Sequence, residues 1–270
     1  MGFWNIASIK KTNRGVNVMP KAVLFDCYNT LLCYESQEDK AGIYDMMIHA
    51  IEYMTETSLQ IVAEELENLY QEAYFKEVRE CQRLRGIHAE LHLRRVWKNV
   101  LTALNIPLEM AEEKAEDILL VFRLFTRKQK HLFPNVQKEL KKLREKGMKL
   151  LLLSNAQTCF IYNELPEKVR NLFDEIIISE DVGIKKPDEN IFHIAFERLG
   201  IKPQEGVFVG DSAEDDMIPA GKLGCHCVMI GKSEMMKPTP SHVTVFDPYK
   251  ESGYDGFVEL IDELGRNNDD

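Results

Sequence analysis

The stretch KAVLFDCYNTLL, residues 21–32, decides the fold. Ala22, Val23, Leu24 and Phe25 form an unbroken apolar run, which suits a strand of a parallel sheet covered on both faces. The run stops at a single carboxylate, Asp26, with Tyr28 two residues later and Thr30 four residues later. In open α/β sheets, ligands bind beyond the carboxyl ends of the strands. Asp26 is therefore a candidate for chemistry as well as for an Asx-turn.

Further runs follow: MKLLLLSN at 148–155, EIIIS at 175–179, GVFVGD at 206–211 and HCVMI at 226–230. Helical patterns lie between them. Asn135 is placed to cap a helix carrying Val136, Leu140 and Leu143, with Gly147 ending it. Asp188 is placed to cap another with Ile191, Phe192, Ala195, Phe196 and Leu199, ending at Gly200. Strands alternating with helices predict a doubly wound, Rossmann-like parallel α/β sheet.

Four helical stripes interrupt this pattern after the first strand. They are Ile43, Met47, Ile51 and Met54; Leu59, Val62, Leu66, Leu69 and Ala73; Leu93, Val96, Trp97, Val100 and Leu104; and Ala111, Ala115, Ile118 and Phe122. Thr57-Ser58-Leu59-Gln60 reads as a capping box for the second. The expected division is a leading extension over 1–20, an α/β core over 21–35 and 131–270, and an inserted α-helical bundle over 36–130. Met19 is an alternative start, because the first regular element begins just after it.

The chain has 270 residues, a net charge of −10, 44% hydrophobic and 29% charged residues, the profile of a soluble globular protein. The acidic balance argues against a general nucleic-acid binder, since phosphate neutralisation needs excess Lys and Arg. None of the six cysteines forms a C-x-x-C pair. Cys225-His226-Cys227 reads as part of a buried strand rather than a metal cluster. No apolar run is long enough to span a bilayer. The start lacks the apolar centre of a signal peptide, and Ile6 stands where N-myristoylation requires Ser or Thr. The expected setting is the cytoplasm, with a small anionic substrate and neither nucleic acid nor membrane as partner.

The strand ends give a short list of candidates. The first strand offers Asp26, and the second Ser154 and Asn155. The strand at 206–210 offers Asp211, with Ser212, Asp215 and Asp216 behind it. GIKKPD supplies Lys185 or Lys186. Each alone has a structural explanation: a turn, a cap or a solvated lysine. Together they bring carboxylates, a hydroxyl, an amide and an ammonium to one sheet edge. Facing carboxylates repel unless a cation joins them, and an oxygen ligand set suits Mg²⁺.

The order and spacing of these residues resemble the haloacid dehalogenase superfamily, which includes many phosphatases. Its first motif, D-x-D/Y-x-T/V, is similar to Asp26-Cys27-Tyr28-Asn29-Thr30. Its second is matched by Ser154, its third by Lys186-Pro187-Asp188, and its fourth, G-D-S-x-x-x-D, by Gly210-Asp211-Ser212 and Asp216. The helical insertion resembles the family's cap. The resemblance implies that Asp26 is a nucleophile forming a covalent intermediate, that Ser154 binds an oxygen of the substrate anion and that Lys186 neutralises charge. It further implies that Asp26, the backbone carbonyl of Tyr28 and Asp211 hold Mg²⁺, with Asp216 either bound to the ion or supporting the residues that are, and that Asn155 lines the pocket.

Tyr28 divides the readings. Most family phosphatases carry an aspartate there as general acid and base, whereas the 2-haloacid dehalogenases carry tyrosine. Those dehalogenases also use an early cap arginine and replace the first acid of the fourth motif. This chain has no arginine between Asp26 and Arg79, and it retains Asp211. The expected activity is Mg²⁺-dependent hydrolysis of a small phosphate ester. The alternatives are a 2-haloacid dehalogenase and a phospholigand or protein binder with little turnover. Arg83, Arg85, His88, Arg94 and Arg95 are candidates to face the site from the helical block. Asn29 replaces the family's usual glycine and tolerates a left-handed backbone.

Overall fold

The structure is a computed structural model describing residues 20–36, 42–232 and 243–266. The Met19 start, and all but the last residue of the leading extension expected over 1–20, lie outside the described residues.

A six-stranded parallel sheet forms the centre. In chain order its strands are β1 (Ala22–Phe25), β4 (Lys149–Ser154), β5 (Glu175–Ile178), β6 (Gly206–Gly210), β7 (His226–Ile230) and β8 (Val243–Phe246). Their spatial order is β5-β4-β1-β6-β7-β8. β1 thus lies between β4 and β6, with Phe25 opposite Leu152 on one side and Val209 on the other.

Every residue of β1 is fully buried, because the strand feeds two cores. Val23 and Phe25 join Leu150, Leu152, Val207 and Val209 on one face. Ala22 and Leu24 join Leu151, Leu153 and Phe208 on the other. Helices α5 (Val136–Glu145) and α11 (Phe257–Arg266) pack on the first face, and α9 (Glu189–Leu199) and α10 (Ile218–Lys222) on the second. Burying a leucine or phenylalanine side chain contributes about 1.5–3 kcal/mol, so the apolar run anchors the strand whose end carries Asp26.

Between β1 and β4 stand α1 (Ile43–Thr55), α2 (Ala63–Arg85), α3 (Leu93–Ala103) and α4 (Leu108–Phe125), with a core of their own around Met47, Ile51, Leu66, Trp97 and Val100. An antiparallel ribbon that the sequence reading left out joins this block to the sheet. It pairs β2 (Leu32–Ser36) with β3 (Arg127–Leu132) and straddles both expected boundaries, at 35/36 and 130/131. The ribbon and β8 carry no long apolar run, since their residues are only partly buried or exposed beyond Cys33.

Three local expectations need correction. The capping box at 57–60 does not start a helix. Leu59 N–H instead donates to Glu52 at 2.8 Å, the chain stays outside α2 until Ala63, and Glu65 accepts from Val62 N–H at 3.2 Å. Asn135 precedes α5 in a left-handed conformation, but its side chain donates to the Ser252 carbonyl at 3.1 Å instead of capping. Ser179, read as strand, opens α8 (Ser179–Val182). Asp188 does cap α9, accepting from Asn190 N–H at 2.9 Å. Among the described residues, no helix is long and apolar enough to cross a membrane.

Candidate active site

The backbone N–H of Asp26 donates to Val209 O at 2.8 Å, which carries the β1–β6 ladder one residue past the strand. The chain then turns tightly, with Leu31 and Leu32 N–H both donating to the Cys27 carbonyl at 2.8 and 3.0 Å. Asn29 makes this turn with φ at 56°, in the left-handed region that asparagine tolerates. Its side-chain oxygen accepts from Tyr34 N–H at 3.0 Å. None of these bonds uses the Tyr28 carbonyl.

Lys186 is the electrostatic centre of the site. Its Nζ lies 2.7 Å from Asp26 Oδ1 and 2.6 Å from Asp216 Oδ1, and all three side chains are buried. Burial alone would lower the Lys186 ammonium, but Asp216 and Asp26 outweigh it and hold it above its ordinary value. Asn155 fixes the lysine's backbone from both sides. Its Nδ2 donates to Lys186 O at 3.0 Å, and its Oδ1 accepts from Lys186 N–H at 2.8 Å. The amide expected to line the pocket is thus engaged in placing the lysine. Lys185, the alternative lysine, is only partly buried.

Asp211 joins this group at the end of β6. Ligand atoms of Asp26, Asp211 and Asp216 all lie within 4.8 Å of one another. Burial, then Asp26 and Asp216, push the Asp211 carboxyl up to about 7. Burial pushes Asp26 up to about 6, with Lys186 opposing and Asp216 adding to the shift. Three carboxylates facing one ammonium leave two negative charges when all are ionised, an electrostatic cost that a divalent cation would relieve. Gly210 makes room for the cluster: a Cβ there would stand 2.3 Å from Asp216 Oδ2. The oxygen donor set fits a hard cation such as Mg²⁺.

Ser154 ends β4 beside this cluster, fully buried, and its Oγ finds no hydrogen-bond partner among the described residues. Ser212 takes the capping role its spacing suggested, accepting from Asp215 N–H at 3.0 Å. Ser212 N–H in turn donates to Asp216 Oδ2 at 3.1 Å. Cys225 and Cys227 are buried in or beside β7 and belong to no metal-ligating group among the described residues.

Tyr28 is held by residues the sequence reading missed. Its phenol donates to Glu164 Oε2 at 2.6 Å, on α6 (Thr158–Glu164). Arg123, from α4, grips both oxygens of Glu164 at 3.0 and 3.1 Å. The guanidinium carbon lies 3.9 Å from the Tyr34 ring centroid, 4.5 Å from that of Phe160 and 5.1 Å from that of Tyr28. Burial, reinforced by Cys27 and Glu164, pushes the Tyr28 phenol far above its ordinary range. The arginines named as candidates to face the site have other surroundings. Arg94 donates to Glu112 O at 3.0 Å, Arg95 is 3.8 Å from Glu77, Arg85 lies against Gly183, and Arg83 is exposed. His88 uses its backbone carbonyl to accept from Lys185 N–H at 2.9 Å.

The family model for haloacid dehalogenase-like hydrolases matches residues 20–224. A glyceraldehyde 3-phosphate phosphatase of Methanopyrus kandleri is 31% identical over 82% of this chain and 88% of its own length. Among solved structures, a 2-haloacid dehalogenase from Pseudomonas syringae pv. Tomato DC3000 superposes with a TM-score of 0.61 at 21% identity, covering 91% of this chain and all of that one. A HAD phosphatase from Thermococcus onnurineus gives a TM-score of 0.54 at 21% identity over 89% of this chain and 97% of its own. At such identities these two structures speak for the fold alone. With the family model spanning four of the sheet's six strands, the helical block and all four strand-end motifs, the chain belongs to the haloacid dehalogenase-like hydrolases.

Proposed function

We propose that this hydrolase cleaves a small phosphate ester, using Asp26 as the nucleophile. The observation that carries the reading is the carboxylate cluster around Lys186, which keeps Asp211 and Asp216 together with Asp26. Such a concentration of buried negative charge is costly without a cation. The phosphatase relative, matched over most of both chains, supports the same reading.

In this mechanism a carboxylate oxygen of Asp26 attacks phosphorus and the ester oxygen leaves, giving an aspartyl phosphate that water then hydrolyses. Covalent catalysis divides one hard displacement into two easier ones. Lys186 holds Asp26 by one oxygen and offers positive charge to the transferring group. The unpartnered Ser154 hydroxyl donates to a phosphoryl oxygen. Asp26, Asp211, Asp216 and the Tyr28 carbonyl would hold Mg²⁺, which supplies further charge neutralisation when bound. The helical block acts as the cap, confining a small anionic substrate against the sheet edge.

The second reading, dehalogenation, rests on Tyr28, because a halide needs no proton to leave. Release of phosphate and of halide, measured across ester and 2-haloacid substrates with Mg²⁺ and with chelator, separates the two. Mg²⁺-dependent phosphate release is the expected result. Halide release that persists in chelator, without phosphate release, would establish the dehalogenase instead.

A further inference from the structure

The segment between α2 and α3 of the helical block is bonded to the loop that delivers Lys186. Lys185 N–H donates to His88 O at 2.9 Å and Glu90 N–H to Gly183 O at 3.1 Å, so residues 88–90 run antiparallel to 183–185 around an Ala89–Ile184 bridge. Gln157, buried, fastens the same segment from its other end. Its Nε2 donates to Leu91 O and its Oε1 accepts from Leu93 N–H, each at 2.8 Å.

Glu90 stands at the centre of this contact, 8% exposed, and the acceptors of its carboxylate are both engaged. Oε1 accepts from Leu91 N–H at 2.8 Å, and Oε2 accepts from the Ser179 hydroxyl at 2.6 Å. Ser179 Oγ itself accepts from Ala156 N–H at 2.9 Å. Ala156 follows Asn155, whose side chain clamps the Lys186 backbone. Glu90 therefore reaches Lys186 by two routes. One is the short ladder through residues 183–185, and the other passes through Ser179, Ala156 and Asn155.

We infer that Glu90 is a positioning residue for Lys186, through which the helical block sets the register of the ammonium against Asp26 and Asp216. The inference rests on the phosphatase reading of the site for its kinetic consequence, though not for its structural one. Glu90 belongs to none of the four strand-end motifs, and its partner Ser179 lies on a strand-to-helix turn. Misplacement of a catalytic group by about 1 Å is enough to cost roughly 10²-fold in rate. The effect falls on kcat more than on KM, because Lys186 engages charge that develops during transfer.

The test uses the full chain and three variants, Glu90→Ala, Glu90→Gln and Ser179→Ala. Steady-state kinetics with an activated aryl phosphate are combined with amide hydrogen exchange at Lys185. Glu90→Ala and Ser179→Ala should lower kcat by about 10–10²-fold, change KM by less than about threefold, and speed exchange at Lys185. Glu90→Gln should keep most of the activity. Its amide can accept from Leu91 N–H and donate to Ser179 Oγ, while the Ser179 hydroxyl turns to the Ala156 carbonyl, 3.3 Å away. The inference is overturned if folded Ser179→Ala or Glu90→Ala keeps wild-type kcat and Lys185 protection, or if Glu90→Gln is as damaged as the alanine variant. Should Glu90→Ala not fold, Ser179→Ala and Glu90→Gln still decide the question. Should the wild type release no phosphate, the phosphatase reading fails, while the exchange data still report on the Glu90 contact.

Discussion

The phenol of Tyr28 donates its hydrogen to Glu164 at 2.6 Å, so its only proton is already committed to a carboxylate. The phenol is held well above its ordinary range by burial first and then by Cys27 and Glu164. It neither gives up nor accepts a proton readily at neutral pH. Tyr28→Phe should therefore change phosphate release from an activated aryl ester by less than about threefold, well below the 10²–10⁴-fold associated with general acid–base groups. Tyr28→Asp should speed an unactivated alkyl ester, but by less than that range. Arg123, 5.1 Å from the Tyr28 ring, competes for the new carboxylate. Steady-state rates on one ester of each kind check this. A large loss in Tyr28→Phe would make the phenol a catalytic group.

Asp26→Asn should lower turnover by more than about 10³-fold, since in the proposed mechanism it removes the nucleophile outright. The fold should survive, because Lys186 keeps Asp216 at 2.6 Å and the change removes one charge from a repelling trio. Circular dichroism and phosphate release on the same preparation test both halves. Substantial activity in the folded variant would remove Asp26 from its role.

Raised carboxyls in the cluster dictate a pH dependence whose sign can be worked out. Asp211 is pushed from 3.8 up to about 7 and Asp26 up to about 6. The folded protein therefore binds more protons than the unfolded chain between about pH 4 and 7. Stability contributed by these protons is fully present below the unfolded value and is lost as pH rises through the folded ones. In chelator, Asp211→Asn should melt higher than wild type at pH 8, by at least about 2–4 °C, the shift given by 1 kcal/mol in a chain of this size. The difference should shrink toward pH 5. Mg²⁺ should narrow the gap from the other side by raising the wild-type melting temperature. A gap that is constant with pH would show that these carboxyls do not titrate as described.

The sheet was legible because its strands are buried on both faces and so read as apolar runs that end abruptly at Asp26, Ser154 and Asp211. Lys186 was legible from its place before Pro187 and Asp188. Partly buried strands leave no such trace. In the ribbon, Lys128, Gln129 and Glu35 are exposed, and in β8 every residue is only partly covered. The Thr57–Gln60 cap failed because Glu52, seven residues upstream, reached Leu59 N–H. Arg123 and Glu164 were missed for a related reason. They stand 41 residues apart, and nothing local marks either as the other's partner or as the support for Tyr28.

Glu164 is 4% exposed at its side chain and takes both bonds of the Arg123 guanidinium, which is 20% exposed. Removing one partner leaves an uncompensated buried charge, a loss of about 3–5 kcal/mol. Arg127, at 3.8 Å from Glu164, compensates in part. Arg123→Ala should therefore lower stability by about 2–4 kcal/mol, and adding Glu164→Gln should return part of the loss. Chemical denaturation of the two singles and the double closes the cycle. Strict additivity would mean that the pair is not coupled.

Gly210 offers the sharpest test of how the cluster is built. It ends β6 and precedes Asp211, and its Cα faces the Asp216 side chain so closely that a Cβ would stand 2.3 Å from Oδ2 and 2.5 Å from Cγ. A carboxylate held from two other directions has little room to yield. Asp216 Oδ1 is bound to Lys186 Nζ at 2.6 Å and Oδ2 to Ser212 N–H at 3.1 Å. The extra methyl in Gly210→Ala must therefore displace Asp216 or shift the strand, and forced overpacking of this kind costs about 1–3 kcal/mol. Displacing Asp216 also frees Lys186 to lean on Asp26 alone. Both the charge at Asp26 and the oxygen set proposed for Mg²⁺ then change. Gly210→Ala should lose stability within that range, bind Mg²⁺ at least about tenfold more weakly, as expected when ligands or their supports are disturbed, and lose turnover in parallel. Denaturant titration, calorimetry with Mg²⁺ and phosphate release measure the three. If the variant folds with wild-type stability and Mg²⁺ affinity, Asp216 can move without consequence, and its place in the cation site is lost.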